Sequence, residues 1–336
     1  TAGYVQTNGS LKNDKGVISV INKDTTSIIY DTDVENKNGA QAGFGDLLVL
    51  NSEIKNSEGS SLEAKDMYLV GGATLTNGSV RDDQTIDSNN KVTVDSLIVV
   101  GDSKETDTIT NYGQIKIQGT SLSPILKDFI KENIPLDGVG TDAVDAFLGA
   151  GGLSLGYIQI NGKLTNDGQI IVDEDAEDGR TISGLINGNF FNNGTASFED
   201  FFSVGSQITN SNTLTAGNLL IASGLLKNNA APEEGKPAGS VTADSMIVIG
   251  AKDQDGNNQT IIDNKGTITV TANKGLGQLL GNILTGDVVP EAAKDIVEGI
   301  FEEADKLSIG YVQWQGKLDN VGTLTAGGLS GVIDAT

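Results

Sequence analysis

Thr213-Leu214-Thr215-Ala216-Gly217-Asn218-Leu219-Leu220-Ile221 carries the fold in miniature. Leu214 and Ala216 alternate with Thr213 and Thr215, the period of two that marks a strand with one buried side. Gly217-Asn218 supplies a corner, and Leu219-Leu220-Ile221 continues as an unbroken apolar run, the start of a second strand. Two short strands meeting at a bend cannot shelter their own apolar side, so the segment has to stack on others like it.

Copies appear on both sides of it. Ile208-Thr209-Asn210 stands just before and Leu226-Lys227-Asn228 just after, and the same apolar-x-Asn phrase recurs as Ile54-Lys55-Asn56, Leu75-Thr76-Asn77, Ile109-Thr110-Asn111, Leu164-Thr165-Asn166 and Ile262-Asp263-Asn264. Asn192 to Asn210 and Asn210 to Asn228 are each 18 residues, and Asn56 to Asn77 is 21, a spacing that means one coil per repeat. The expected architecture is therefore all-β, a parallel β-helix or β-solenoid, with roughly a dozen coils spaced about 4.8 Å apart. Asn56, Asn77, Asn111, Asn166, Asn192, Asn210, Asn228 and Asn264 are expected at one corner of successive coils. There their amides would hydrogen-bond along the stack as a ladder and their backbones would tolerate left-handed geometry. Turn chemistry without stacking is the alternative reading of the same residues.

A longer repeat is superimposed. Gly3-Tyr4-Val5-Gln6 returns 153 residues on as Gly156-Tyr157-Ile158-Gln159, and 154 further as Gly310-Tyr311-Val312-Gln313. Each copy runs into a Leu-x-Asn phrase ending at Asn13, Asn166 or Asn320. This divides the chain into coils of a first unit (1–118), coils of a second (156–271) and the start of a third (310–336), with 119–155 and 272–309 between them. In those intervening stretches the apolar period changes from two to 3.6. Ser123-Pro124 is a helix start, followed by an apolar face that includes Leu126, Phe129 and Ile130. Pro290-Glu291 starts another, with Ile296, Ile300 and Phe301 on one side. Both stretches are expected to be small α-helical hairpin insertions, whose apolar faces either pack on the rod or meet a neighbouring molecule.

Composition removes much chemistry. The chain has no His and no Cys, so the usual triads, thiol nucleophiles and commonest zinc ligands are missing. A net charge of −23 opposes binding to nucleic acid, and no apolar run approaches the length of a membrane span. Thr1 already lies inside the repetitive pattern, as expected for an interior fragment of a mature protein. Asp173, Asp175 and Asp178, and again Asp253 and Asp255, are weak calcium candidates, for they match no known calcium-loop spacing; solvated surface loops are the simpler reading. No other cofactor is expected and no catalytic residue stands out, since the carboxylates are scattered and Trp314 is the only Trp.

Ile208-Thr209-Asn210-Ser211-Asn212-Thr213-Leu214-Thr215-Ala216-Gly217 and Leu318-Asp319-Asn320-Val321-Gly322-Thr323-Leu324-Thr325-Ala326-Gly327-Gly328 resemble the rungs of filamentous-haemagglutinin-type exoproteins and autotransporter passenger adhesins. The resemblance implies a right-handed β-helix exported through the outer membrane of a diderm bacterium, secreted or held at the cell surface. It implies a non-enzymatic stalk or passenger segment that contacts a receptor or a surface glycan or protein. A self-associating extracellular filament or sheath subunit is the second expectation, and a polysaccharide-active β-helix enzyme a minor third.

Overall fold

Small and branched side chains alternating with polar ones make short strands, and corners every few residues prevent those strands from growing long. The computed structural model describes residues 1–20, 24–80, 86–121, 154–172, 181–232, 238–250, 257–272, 308–333 and 335, and among them there are strands and corners but no helix. The expected hairpins, with Leu126, Phe129, Ile130, Ile296, Ile300 and Phe301, lie outside the described residues, as do Asp173, Asp175, Asp178, Asp253 and Asp255.

The chain winds as a parallel β-solenoid with three faces. The coil around Gly217 shows the path: Gln207–Asn210 runs on the second face, 213–216 on the third, and 218–222 on the first face of the next coil. Each segment lies parallel to its counterpart one coil away. Residues 218–222 pair with 200–204 below and 245–249 above, and Gln207–Asn210 lies between Asn189–Asn192 and Leu225–Asn228. The first face begins at 5–7 and continues through 26–30, 46–50 and 67–70 to Leu329–Ile333. Among the described residues the single antiparallel contact with the stack is Thr120–Ser121 against Leu155 and Ser154, where the chain leaves and rejoins the solenoid beside the first face.

Inward residues from all three faces meet in one thin core. Ile208 and Leu226 come from the second face, Leu214 and Ala216 from the third, and Leu219 and Ile221 from the first, all of them buried. Fully burying such a side chain stabilises by about 1.5–3 kcal/mol. At one level three rings meet, Phe198 and Phe201 stacked at 4.3 Å and Phe190 edge-on to both.

The long repeat becomes a unit of five coils. Stepping between successive ladder asparagines, from Asn13 to Asn166, takes 23, 20, 21, 34 and 55 residues. From Asn166 to Asn320 it takes 26, 18, 18, 36 and 56, so the two long coils fall fourth and fifth in both units. Extra length leaves at corners, and the paired strands do not change.

One expectation is corrected. None of the ladder asparagines has a positive φ; they end extended strands, with their side chains turned into the core. Asn8, Asp31, Asn51, Asn161, Asn187 and Gln315 are left-handed at the corner between the first and second faces, with φ 46–58°, and Lys15, Asn38 and Glu58 at the corner between the second and third. A tight reversal there demands αL backbone, which Asn and Asp tolerate better than branched residues do.

Candidate interaction face and the asparagine ladder

At the end of every second-face strand the chain places an amide on the axis side. The Nδ2 of Asn56 donates to Asn77 Oδ1 at 2.9 Å, Asn77 to Asn111 at 2.9 Å, Asn111 to Asn166 at 2.8 Å and Asn166 to Asn192 at 2.7 Å. Asn192 donates to Asn210, Asn210 to Asn228 and Asn228 to Asn264, each at 2.8–2.9 Å. All eight residues predicted for the ladder are thus joined in one continuous line, and each is buried. The second proton of each Nδ2 goes to the carbonyl that opens the third face one coil on: Gln114 for Asn77, Thr213 for Asn192 and Ser240 for Asn210. A buried amide that satisfies its donors in this way avoids a penalty of about 1–3 kcal/mol per unmet group.

Asn13, Asn36 and Asn320 extend the line at both ends, at 2.8, 2.8 and 2.6 Å. The phrases Leu11-Lys12-Asn13, Val34-Glu35-Asn36 and Leu318-Asp319-Asn320 carry the same signature, which would have located them.

Each long unit opens with a second polar device. The Tyr157 hydroxyl donates to Gln159 Oε1, and Gln159 Nε2 donates to the carbonyls of Asn161 and Gly162 at 2.8 and 2.7 Å. Tyr311 and Gln313 repeat it against Gln315 and Gly316. Burial pushes the Tyr157 and Tyr311 hydroxyls well above the usual tyrosine range, so both stay protonated donors.

The outward surfaces of the three faces differ in chemistry. Along the second face the register aligns Lys12, Glu35, Lys55, Thr76, Thr110 and Thr165, with Lys12 and Glu35 paired across coils at 3.2 Å. Along the third it aligns Thr93, Lys116, Ile171, Ser197, Thr215 and Thr242. The first face is different. One outward column reads Val5, Ile28, Leu48, Tyr68, Ile98, Ile158, Gly184, Phe202, Leu220, Ile247 and Val312, and the column beside it contains Tyr30, Leu50, Val70, Val100, Ile160, Ile186, Val204, Ala222, Ile249 and Trp314. They alternate with core residues such as Leu97, Val99, Leu219 and Ile221, so they point away from the core. A strand apolar on both sides is built for two-sided burial.

Beside this stripe, at the corner between the third and first faces, lies an open groove of about 530 Å³ lined by Phe44, Glu63, Lys65, Asp95 and Gln118 among others. Nearby, burial and the Asp66 carboxylate raise the Asp46 carboxyl above its ordinary range. Among the described residues no group of three or more carboxylates gathers where it could hold a metal ion.

No protein-family model matches the chain, and comparison with curated proteins and with solved structures finds no match for it either.

Proposed function

We propose that the chain is a non-enzymatic extracellular solenoid, a stalk or passenger segment of a repetitive bacterial surface adhesin that acts by reach and contact. The observation that carries this reading is the unbroken stack. Among the described residues twelve first-face strands at about 4.8 Å span roughly 50 Å, and an internal ladder of amides ties the coils together from Asn13 to Asn320. Such an object resists bending and grows in length by whole units, which suits a spacer. The rungs quoted above and the lack of cysteine support export.

Beads coated with the purified chain are expected to attach to cultured cell layers or glycan-coated surfaces well above beads coated with albumin. Attachment at the albumin level on every surface would overturn the adhesive reading. Release of reducing ends from a polysaccharide panel would replace it with the enzymatic one.

A further inference from the structure

The residue that opens each first-face segment belongs to a polar column, and the two units fill that column differently. In the first unit the third, fourth and fifth coils place Asp46, Asp66 and Ser96 there; Asp46 and Asp66 precede the paired residues Leu47 and Met67, and Ser96 pairs with Asp66. In the second unit the same three coils place Asp200, Asn218 and Ser245, paired in that order. The middle side chain of the second unit bonds to the coil below, for Asn218 Nδ2 donates to Asp200 Oδ1 at 2.7 Å. In the first unit the middle side chain is a carboxylate, and it accepts from the Ser96 hydroxyl at 2.6 Å. Asp66 has no N–H to offer Asp46, and the Asp46 Oδ1 is buried with no hydrogen-bond partner among the described residues.

Two carboxylates on adjacent coils repel each other when both are ionised, whereas a proton on either one supplies the donor that the Asn218 amide supplies in the second unit. The surroundings favour that proton. Burial raises the Asp46 carboxyl above its ordinary range, the carboxylates of Asp66 and Asp24 raise it further, and the Lys65 ammonium opposes them. The tyrosines of the two strands paired with Asp46–Leu50, Tyr30 and Tyr68, keep their protons up to alkaline pH and are neutral in the acid range. Asp31 closes the strand below at its far corner, where Asn51 donates to it.

We propose that Asp46 and Asp66 share one proton across neighbouring coils, so that the first unit carries a joint that tightens in acid where the second unit has an amide bond that needs no added proton. The sign follows from linkage. The unfolded chain releases an aspartate proton near pH 3.8, while the folded chain holds this one to higher pH. The stabilisation is therefore complete below pH 3.8 and is lost as the pH rises through the folded value, leaving two charges side by side at neutral pH. Acid thus strengthens one unit of the rod selectively, through a pair of residues on adjacent coils.

Exchanging the chemistry of the two units tests this. Asp66→Asn gives the first unit the amide of the second, and Asn218→Asp gives the second unit the carboxylate of the first. Urea midpoints of the 336-residue chain are compared with wild type between about pH 4 and pH 7, so that titration of the remaining carboxylates cancels in the difference. Asp66→Asn should match wild type at the acid end and exceed it at the neutral end. Asn218→Asp should fall further below wild type as the pH rises. A constant offset between Asp66→Asn and wild type across the range would refute the proposal. Carbon-13 NMR of the wild-type aspartate carboxyls, each correlated with its own backbone, needs no variant. The Asp46 and Asp66 carbons should both report a step at higher pH than the other aspartates, because the pair titrates as a unit. If both ionise together with the other aspartates, no proton is shared and the proposal fails.

Discussion

Replacing Asn210 by Ala interrupts the ladder at its most regular point. Asn210 Oδ1 accepts from Asn192 at 2.8 Å, while Nδ2 donates to Asn228 Oδ1 at 2.9 Å and to the Ser240 carbonyl at 3.1 Å. Truncation leaves one Asn192 N–H and the Asn228 Oδ1 without their partners in a fully buried position. At about 1–3 kcal/mol for each unmet buried group, the loss comes to about 2–6 kcal/mol, a large share of the 5–15 kcal/mol typical of a folded domain. Asn13→Ala, at the end of the line, strands only the Asn36 oxygen, so it should cost about half as much. Asn193→Ala removes an exposed bond to Asp167 and should fall within about 0.5 kcal/mol of wild type. The double variant Asn192→Ala with Asn210→Ala should lose about 1 kcal/mol less than the sum of the singles, because the bond between them is broken only once. Urea unfolding followed by far-ultraviolet circular dichroism reads all four. If Asn210→Ala unfolds at the same urea concentration as Asn193→Ala, the ladder does not hold the coils together.

Two further outcomes follow from packing and from titration. A Cβ on Gly184 would sit 2.0 Å from Phe202 Cζ, so Gly184→Ala should destabilise by about 1–3 kcal/mol, with most of it restored by adding Phe202→Ala; no rescue would mean that the ring is not the obstacle. Burial, helped by Asp66 and Asp46, pushes the Tyr68 hydroxyl up to about 12, and burial also raises Tyr157. The unfolded chain releases these protons near pH 10, earlier than the folded one does, so this contribution is complete below pH 10 and falls away between pH 10 and about 12. Phenolate absorbance should rise together with loss of strand signal in that window, and an unfolding midpoint unchanged across it would contradict the burial of these hydroxyls.

The winding and the ladder were legible because both depend on local pattern. Alternation marks each strand, and the apolar-x-Asn phrase repeats at the spacing of a coil. Val34-Glu35-Asn36 fits the same phrase, with Glu35 facing outward to pair with Lys12 and Lys37 just as Lys55, Lys227 and Asp263 face outward in their coils, so Asn36 too was legible. Left-handed geometry was assigned to the wrong asparagines. Positive φ falls instead on asparagines just past a first-face strand, Asn8, Asn51, Asn161 and Asn187 among them, whereas the ladder residues close second-face strands; a following glycine does not tell the two apart, since Asn77 precedes Gly78 and is extended. The apolar outer stripe was visible as the runs Leu47–Leu50, Leu97–Val100 and Met246–Ile249. A run, however, shows only that both sides are apolar, and what lies against the outer side depends on residues distant in sequence.

Ladder and stripe together show where this architecture tolerates change. An inward amide bonded to the coils above and below fixes the register, for a slip of one residue would turn it to solvent and bring an outward side chain into the core. Register is thus specified once per coil, at a single residue, and the corners are released from that duty. Steps of 18 and of 56 residues accordingly reach the same hydrogen bond at nearly the same length, 2.8 and 2.6 Å. The longest departures from the stack come, in both units, between a third-face strand and the next first-face strand, after Ser121 and after Ala272. Variation in length is therefore concentrated next to the one surface whose chemistry demands a cover, and the polar second and third faces are left to meet water.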